Sequence, residues 1–574
     1  MSFLPNLFLI LSVLLIGLNF DPIVRQEPDA VYDFIVVGSG PGGATVASRL
    51  SEIPDVKILL LEAGESDLNN PQIQIPTRAY ELDQTDIDWK YETEAISQPP
   101  FSDRSFQMPR GKTLGGTSSI NYNVYMRGSP HDFDSWEDSG AAGWGWNNVE
   151  PYFRKVENAT MDEMSANLGR NGNLKLSRNH NKPSVAWTFI KNAASELGIK
   201  TTDYNDDMLG ISPVTFTIHE GIRQNSVTAY IRPIHKERQN RLHIVTGALV
   251  SKVLIDNDSQ FGPKAYGVEY LKNGKYHTVR ARKEVIISAG AIGTPQILLL
   301  SGIGPKNDLR DLEIPVIKDL PGVGLNLENH LSINANFMTN LTNPPPEMEP
   351  VVQYILNGNG PMSMFPYSAV FVKLPLNGTS TSLNERRRLF PDILLFVQES
   401  PALPTLLYLA MLLHPKSKGK ITLRSKDIQD YPVINPNYLE HGDDLQVLKE
   451  AYRLMEKFEM TAAFQKAGAR VMMPSICNVT ENKYAPRSDR FYNCLIWETS
   501  GSEHHQCCTA KMGSSSDEYA VVDSKLRVIG VKGLRVVDAS VFPHQTSSNT
   551  QASVYMVAEK AADLIKQTWQ LRTL

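Results

Sequence analysis

The sequence predicts an α/β protein with a doubly wound parallel sheet, because a short apolar strand, a glycine-rich turn, a helix and a second strand follow one another near its start. Residues 34–37 (FIVV) have the pattern of a buried strand. The stretch GATVASRLSE, which begins at Gly43, has small-residue spacing typical of a closely packed helix. Residues 57–64 (KILLLEAG) give the second strand. Strands that alternate with helices in this way build parallel sheets.

The turn after the first strand indicates a dinucleotide site. Gly38, Gly40 and Gly43 have the spacing G-x-G-x-x-G, with Ser39 between the first two. In such turns the first glycine permits the bend, the second admits a pyrophosphate, and the third lets helix and strand pack closely. Glu62 ends the second strand, where a carboxylate suits both ribose hydroxyls and disfavours a 2′-phosphate. NAD and FAD both remain candidates at this point, and a purely structural glycine turn is the alternative.

The composition excludes some functions. The chain has 574 residues, so we expect two or more domains. Hydrophobic residues make up 41% and charged residues 21%, which is typical of a globular protein. A net charge of −5 gives no electrostatic basis for binding nucleic acid or an anionic membrane.

The N-terminus predicts secretion. Residues 7–18 (LFLILSVLLIGL) form an apolar run that is shorter than the roughly 20 residues a membrane-spanning helix needs. It resembles the apolar region of a signal peptide, so we expect residues 1–20 to be one and expect no stable membrane span. An uncleaved signal anchor is the alternative, since no Lys or Arg precedes the run.

Two further features agree with secretion. Five N-x-Ser/Thr sequons are expected sites of glycosylation in the secretory route: Asn158, Asn257, Asn340, Asn377 and Asn478. In an oxidising compartment, Cys477 and Cys494 are expected to close a short loop as a disulfide, which stabilises a fold by about 2–4 kcal/mol.

Four later segments identify a family. They are residues 110–128 (RGKTLGGTSSINYNVYMRG), 288–304 (SAGAIGTPQILLLSGIG), 320–330 (LPGVGLNLENH) and 533–565, which contains VVDASVFPHQTSSNTQ. In this order they resemble the glucose–methanol–choline (GMC) family of FAD-dependent alcohol oxidoreductases, from about residue 30 to residue 568. In its motifs and its expected signal peptide, the sequence resembles the secreted, arthropod glucose-dehydrogenase-like branch of that family.

The resemblance implies FAD as the cofactor and two discontinuous domains. An FAD-binding, Rossmann-like domain would be joined to a substrate domain, which is an antiparallel sheet flanked by helices. The expected ranges are 30–330 for the N-terminal region, with FAD-binding parts at 31–135 and 220–330 and a substrate-domain part at 150–219, then 331–515 mainly for the substrate domain and 516–568 for a return to the FAD domain. By motif, the residues expected at FAD are Gly38 to Gly43, Glu62, Thr113, Gly116, Asn121, Val124, Val250, Asp538, Ala539 and Gln551. Val250 fits a strand core equally well.

The stretch HHQCCTAKMG at residues 504–513 resembles the family segment that supplies the catalytic histidine. The resemblance makes His505 the base and places His504 beside the flavin, while Asn549 matches the second catalytic position. An imidazole has a reference pKa near 6.5 and accepts a hydroxyl proton at neutral pH. The amide of Asn549 cannot titrate, but it can donate a hydrogen bond to the substrate oxygen.

The adjacent Cys507 and Cys508 raise two other interpretations of this stretch. Zinc ligands need spacing such as C-x₂-C or H-x₃-H, which is lacking here, so we expect no metal. Disulfides usually join Cα atoms about 4.4 Å or more apart, whereas a trans peptide holds neighbours near 3.8 Å. Free, packed thiols are therefore expected.

Departures from the family pattern bear on the substrate. Residues 360–372 carry no acid where relatives often place a Glu, and Ser368 is the nearest match. Phe365 and Tyr367 flank it, and Trp497 stands where relatives often carry Arg. These three residues are the expected pocket wall. Because unpaired buried polar groups cost about 1–3 kcal/mol each, such a wall favours a small apolar or aromatic alcohol over a sugar. A plain structural core at these positions is the alternative.

The leading hypothesis for the function is oxidation of an alcohol CH–OH group to a carbonyl, with hydride passing to FAD and then to oxygen or a quinone. An FAD-containing lyase of the hydroxynitrile type needs the same base but no hydride transfer. A glucose-type sugar dehydrogenase and a non-catalytic secreted binding protein are the remaining alternatives.

Overall fold

The computed structural model describes residues 21–571, except 97–103, 162–163, 179–184, 259–261, 342–347, 375–389, 400–404, 473, 475–476 and 478–486. Within this part of the chain the helices are α1 (Pro41–Leu50), α2 (Pro130–Asp138), α3 (Trp146–Val156), α4 (Val185–Glu196), α5 (Ser226–Tyr230), α6 (Arg232–Arg238), α7 (Gly290–Leu300), α8 (Lys306–Asp311), α9 (Pro350–Asn357), α10 (Gly442–Glu459), α11 (Ala462–Lys466), α12 (Asp489–Thr499) and α13 (Gln551–Thr568). The strands are β1 (Val31–Val37), β2 (Ile58–Leu61), β3 (Tyr91–Glu92), β4 (Gln107–Met108), β5 (Glu157–Ala159), β6 (Leu174–Leu176), β7 (Gly210–Pro213), β8 (Ile218–His219), β9 (Ile222–Arg223), β10 (Leu242–Val245), β11 (Leu249–Asp256), β12 (Lys264–Lys272), β13 (Lys275–Ile287), β14 (Ile303–Gly304), β15 (Lys318–Asp319), β16 (Leu325–Leu327), β17 (Leu331–Met338), β18 (Tyr367–Val372), β19 (Ile393–Glu399), β20 (Thr405–Leu412), β21 (Gly419–Thr422), β22 (Val433–Asn435), β23 (Arg470–Met472), β24 (Ser500–Ser502) and β25 (Leu534–Val536).

The first large sheet has the strand order β10-β2-β1-β13-β12-β11, and β25 also pairs with β13. The strands β10, β2, β1 and β13 are parallel, as is the pair of β13 with β25. Strands β12 and β11 add an antiparallel extension. All four residues of β2 are buried, as expected of a strand covered on both faces. The predicted α/β, doubly wound architecture is confirmed.

The parallel strands of this sheet position the cofactor residues. Gly38 follows β1, Glu62 follows β2, Ser288 follows β13, and Asp538 comes shortly after β25. Because the carboxyl ends of parallel strands lie at one edge of a sheet, these four residues meet there although they are far apart in the chain.

The second large sheet is antiparallel, as predicted, with the order β23-β17-β20-β19-β18-β7 and with β24 also paired to β17. Helices α10, α11 and α12 share a buried apolar cluster with this sheet, in which Leu448, Phe458 and Phe464 are fully buried. Strand β17 begins directly after His330, and β24 ends directly before Glu503. The pairing of these two strands therefore brings the segments around His330 and His505 together.

The structure describes some, but not all, of the residues from which secretion was predicted. Residues 1–20, Asn377 and Asn478 lie outside the described residues. Asn257 and Asn340 are exposed and Asn158 is partly exposed. Cys477 and Cys494 form a disulfide whose Cα atoms are 5.9 Å apart. In the part of the chain that the structure describes, no helix has the length and apolar character needed to cross a bilayer.

Candidate active site and cofactor cavity

A cavity opens at the carboxyl edge of the parallel sheet and reaches the loop that follows β24. Most of the residues singled out from the sequence line it: Gly38, Ser39, Gly40, Glu62, Gly116, Asn121, Val124, Val250, His504, His505, Asp538, Ala539, Asn549 and Gln551. Gly43 and Thr113 do not reach its wall. The Thr113 hydroxyl instead donates to the carbonyl of Glu65, at 3.0 Å.

The glycine-rich turn has a different environment at each glycine. Gly38 has φ +96°, a left-handed conformation that side chains disfavour. A Cβ at Gly43 would lie 1.8 Å from the carbonyl oxygen of Gly38, so only glycine allows α1 to pack this closely. A Cβ at Gly40 would meet no atom within 4 Å. The backbone at Gly40 therefore faces open space, where a ligand can approach it.

Glu62 is buried at the edge of the cavity. Its carboxylate accepts hydrogen bonds from the backbone N–H of Ser39 at 2.9 Å, the Ser39 hydroxyl at 2.6 Å and the N–H of Gly64 at 2.9 Å. Burial raises the pKa of Glu62 above its ordinary value, while these donors oppose the rise. None of its hydrogen-bonding neighbours is a cation. The carboxylate is therefore suited to accept hydrogen bonds from the hydroxyl groups of a ligand.

The segment that follows Gly115 forms a further part of the cavity wall. A Cβ at Gly116 would lie 2.9 Å from the Cα of Gly40, so a side chain here would push the two glycine-rich segments apart. Nδ2 of Asn121 donates to Oε1 of Gln551 at 3.0 Å, and Nε2 of Gln551 donates to the carbonyl of Val124 at 2.6 Å. These bonds tie the wall to the start of α13.

Asp538 fixes two neighbouring elements at the cavity. One carboxylate oxygen accepts hydrogen bonds from the N–H of Gly290 at 2.9 Å and the hydroxyl of Thr294 at 2.6 Å, at the start of α7. The other oxygen accepts from the backbone and side chain of Ser540. Asp538 therefore sets the position of Ala539, which lines the cavity beside it.

His505 and Asn549 meet at the cavity wall. Nδ2 of Asn549 lies 2.9 Å from Nε2 of His505. The backbone of His505 is held on both sides, because its N–H donates to Oδ1 of Asn329 and its carbonyl accepts from Nε2 of Gln545, each at 2.7 Å. Burial, with smaller contributions from His330, His504 and Arg110, lowers the pKa of His505 well below its ordinary value. His505 is therefore neutral at pH 7 and able to accept a proton.

Arg110 adds a buried positive charge to the same wall. Its guanidinium donates to the carbonyl of His504, to Oε1 of Gln506 at 2.6 Å and to the hydroxyl of Thr117 at 3.1 Å. Burial lowers the pKa of Arg110 to about 10, so the group stays charged at neutral pH. Burial and the charge of Arg110 lower the pKa of His504 to about 3. His504 is therefore neutral in the folded protein.

The sequence did not reveal several residues of the wall. Glu503 and Asp83 both line the cavity, together with the aromatic rings of Trp89, Tyr91 and Tyr122. Burial raises the pKa of Glu503 to about 7 and that of Asp83 to about 6. The position of Glu503 just before the two histidines was the available signal for it, whereas Asp83 lies in a loop without a recognisable motif.

The expectation that Phe365, Tyr367 and Trp497 form the pocket wall is wrong. Tyr122 lines the cavity, Phe365 packs edge-on behind it with ring centroids 5.7 Å apart, and Tyr367 stacks on Phe365. Trp497, near the end of α12, packs against the core of the antiparallel sheet. Ser368 is buried within β18, away from the cavity. The ring of Tyr122, supplied by the neighbouring glycine-rich segment, takes the place expected for these side chains.

The expectation of free thiols at Cys507 and Cys508 is also wrong. The structure joins these adjacent residues in a disulfide with Cα atoms 3.8 Å apart, and no cysteine is free. The Cα separation of about 4.4 Å or more is the usual range for disulfides and not an absolute limit. Here Cys508 has φ +77°, a left-handed conformation that changes the direction of its side chain relative to Cys507. In the described residues, no group of three or more His, Cys, Asp or Glu side chains is arranged to hold a metal ion.

Comparison with known proteins identifies the family. Residues 32–332 match the N-terminal model of the GMC oxidoreductases, and residues 415–558 match the C-terminal model. The chain belongs to the GMC oxidoreductase family. It is 35% identical over 561 residues to glucose dehydrogenase (FAD, quinone) of Drosophila melanogaster, covering 95% of this chain and 88% of the relative. It is 34% identical over 558 residues to the mitochondrial choline dehydrogenase of Mus musculus, covering 93% and 89%.

Solved structures of GMC oxidoreductases share the fold. Formate oxidase of Aspergillus oryzae RIB40 superposes with a TM-score of 0.83 at 27% identity, covering 95% of this chain and all of that one. A fungal aryl-alcohol oxidase superposes with a TM-score of 0.79 at 25% identity, with the same coverage. The protein is thus an FAD-dependent oxidoreductase, as the sequence predicted.

The cavity suits FAD. Four buried polar atoms on its wall have no hydrogen-bond partner among the described residues: Oγ of Ser288, Nδ1 of His504, Nε2 of Gln506 and Oδ1 of Asn549. An unpartnered buried polar atom costs about 1–3 kcal/mol, so a polar ligand is expected here. At the sheet edge, Glu62 is placed for the ribose hydroxyls and the open backbone at Gly40 for the pyrophosphate.

Proposed function

We propose that this GMC oxidoreductase oxidises the CH–OH group of a small alcohol with an apolar or aromatic body to a carbonyl, with His505 as the base. Electrons then pass from FAD to oxygen or a quinone. The observation that carries the proposal is the 2.9 Å contact between Nε2 of His505 and Nδ2 of Asn549 at the cavity wall.

The two side chains have complementary tasks. Bound FAD supplies a hydride acceptor. Nε2 of the neutral His505 accepts the hydroxyl proton of the substrate. Without substrate, Nδ2 of Asn549 contacts Nε2. When the substrate hydroxyl takes that place at Nε2, the amide N–H of Asn549 can donate to the substrate oxygen instead. Because these groups hold the substrate hydroxyl in one orientation, the entropy cost of aligning it is met on binding and not in the chemical step.

The aromatic wall supports the proposed substrate class. Trp89, Tyr91 and Tyr122 line the cavity and offer flat apolar surfaces. Such surfaces bind an aromatic body by offset or edge-on packing, worth about 0.5–1.5 kcal/mol beyond the buried area. Asp83 and Glu503 add hydrogen-bonding positions at the same wall, and a polar substituent on the substrate would find partners there.

A single-turnover experiment tests the reaction. Purified holoenzyme is mixed anaerobically with benzylic, terpenoid and sugar alcohols, and loss of the flavin absorption band is followed. We expect aromatic alcohols to bleach the band fastest and His505→Ala to slow bleaching by about 10²–10⁴-fold with FAD still bound. The exposed His441 gives a matched control, and His441→Ala should react as the wild type does. Equal rates for His505→Ala and wild type would contradict the role of His505.

The same experiment separates the reaction from its alternatives. A cyanohydrin that is cleaved while no alcohol bleaches the flavin would identify a lyase. A sugar that bleaches it faster than every aromatic alcohol would contradict the proposed substrate class. Hydrogen peroxide release in air marks oxygen as the acceptor, whereas turnover with a quinone alone marks a dehydrogenase.

We also propose that the protein is secreted. The apolar run at residues 7–18, the disulfide between Cys477 and Cys494, and the exposed sequon residues Asn257 and Asn340 support this proposal. Expression in insect cells should deliver the protein to the medium, with a new N-terminus near residue 20 and a mass that falls on removal of N-linked glycans. Retention of the full-length chain in the cytosol would contradict secretion.

A further inference from the structure

His330 packs against the proposed base from behind. It ends the segment LPGVGLNLENH, directly before β17, and its side chain is fully buried. Its ring is edge-on to the ring of His505, with centroids 5.1 Å apart. Nδ1 of His330 and Nδ1 of His505 are 3.0 Å apart. A hydrogen bond at this distance needs a single proton, carried by one of the two nitrogens.

The other ring nitrogen of His330 decides which one carries it. Nε2 of His330 lies 3.1 Å from the carbonyl oxygen of Leu413 and 3.1 Å from that of Thr546. Carbonyl oxygens only accept hydrogen bonds, so Nε2 of His330 must carry a hydrogen. Burial lowers the pKa of His330 to about 3, which keeps the ring neutral at pH 7. A neutral imidazole has one N–H, and Nδ1 of His330 is therefore a bare acceptor.

We infer that His330 is a positioning residue that fixes His505 in the tautomer with its hydrogen on Nδ1 and its lone pair on Nε2. Nδ1–H of His505 donates to His330, and the bare Nε2 faces Asn549. The contact with Asn549 agrees, since an amide N–H donates only to a bare nitrogen. All hydrogen bonds in the chain from Asn549 through His505 and His330 to the two carbonyls then run in one direction.

This tautomer prepares His505 for the proposed reaction. A catalytic role for His330 therefore rests on the proposed function. In the opposite tautomer Nε2 would carry a hydrogen and be unable to take the hydroxyl proton. In the fixed tautomer, proton uptake at Nε2 leaves the Nδ1–H bond to His330 in place, and the neutral His330 accepts from the resulting imidazolium. The ring of His505 keeps its orientation during the step, while the amide of Asn549 gives up its bond to Nε2 as the proton arrives there.

His330 also links the two loops that carry the reacting groups. Thr546, whose carbonyl it binds, lies three residues before Asn549. The carbonyl of His330 itself accepts the N–H of Glu503 at 3.1 Å, two residues before His505. His330 therefore ties the loops that carry the base and the amide to the start of β17 in the antiparallel sheet.

Two variants of the holoenzyme separate positioning from packing. His330→Leu keeps the apolar volume but removes the acceptor for Nδ1–H of His505, whereas His330→Asn retains an acceptor oxygen. We expect anaerobic flavin reduction to slow by about 10–100-fold in His330→Leu, the size of the loss seen when a metal-ligating histidine loses the partner that orients it. FAD content and substrate Kd should stay near wild type, and His330→Asn should be the faster variant. Equal rates for His330→Leu and wild type, or equal losses in the two variants, would overturn the inference.

The tautomer itself is observable without turnover. Ring ¹⁵N NMR of histidine-labelled wild-type holoenzyme, with the His505 signals assigned by their loss in His505→Gln, reports which nitrogen of His505 carries hydrogen. We expect a hydrogen on Nδ1 and none on Nε2, and the reverse would overturn the inference even if both variants fold poorly. If no alcohol reduces the flavin, the proposed function fails while this measurement still decides the tautomer.

Discussion

The carboxyl group of Glu503 accepts a hydrogen bond from the hydroxyl of Ser332, a residue of β17, and Glu503 lines the cavity that also holds His505. Among the residues that the structure describes, no Lys or Arg pairs with Glu503, and burial raises its pKa to about 7. The group is thus mainly protonated below pH 7 and mainly ionised above it. A wall residue that changes charge in this range links substrate affinity to pH.

This link is testable with two matched substrates. Above pH 7 the ionised Glu503 should weaken binding of benzyl alcohol and strengthen binding of 4-(aminomethyl)benzyl alcohol, whose ammonium group complements the carboxylate. The change in Kd, measured by anaerobic flavin reduction, is expected to reach at most about tenfold per pH unit. Glu503→Gln should abolish both trends between pH 6 and 8.5. Asp83→Asn is the control, because burial raises the pKa of Asp83 only to about 6. Unchanged trends in Glu503→Gln would show that another group is responsible.

Asn549 should contribute to the rate through its amide. Asn549→Ala removes the donor that contacts Nε2 of His505. Because the substrate hydroxyl would then be held less accurately, we expect kcat to fall by about 10–100-fold. FAD should stay bound. Asn549→His restores a side chain that can donate a hydrogen bond and should recover part of the loss. Steady-state rates with the best alcohol of the screen give the comparison. An alanine variant as fast as wild type would mean that the amide does not touch the substrate.

Glu62 should determine the affinity for FAD. Hydrogen bonds to a charged group contribute about 1.5–3 kcal/mol, so losing those to the ribose should weaken FAD binding by about 10–100-fold in Glu62→Ala. Titration of the apoprotein with FAD, followed by quenching of flavin fluorescence, measures the effect. The control is Glu65→Gln, since the Glu65 side chain bonds Thr246 and lies off this cavity wall. Equal affinities in both variants would exclude the ribose role.

The cysteines give a prediction that needs no activity. Because the four cysteines form two disulfides, unfolding in the presence of an alkylating agent should add no label. Reduction before alkylation should add four labels, and peptide mapping should find Cys507 and Cys508 in one fragment that gains two. Label on these two residues without reductant would show that they are thiols.

The sequence predicted the parts of the site that local patterns define. The turn from Gly38 to Gly43 and the acid Glu62 each follow a buried strand, and the edge of a parallel sheet necessarily brings such positions together. His505 and Asn549 were located by resemblance to long family motifs, and the structure places both at one cavity. Each of these positions depends on the few residues around it in the chain.

The remaining features depend on contacts between distant segments. His330 and His505 meet only because β17 pairs with β24, and no spacing in the sequence encodes that pairing. The pocket wall was misjudged because the ring of Tyr122 lies in front of Phe365. The Cys507–Cys508 bridge was missed because a distance rule does not include the backbone conformation of Cys508.

Strand β25 joins the parallel sheet beside β13, although about 250 residues separate them in the chain. During synthesis the ribosome therefore completes the whole antiparallel sheet before the last strand of the flavin sheet and Asp538 emerge. Until then the nascent polypeptide has an unfinished flavin pocket, and cofactor loading becomes one of the final events of its maturation.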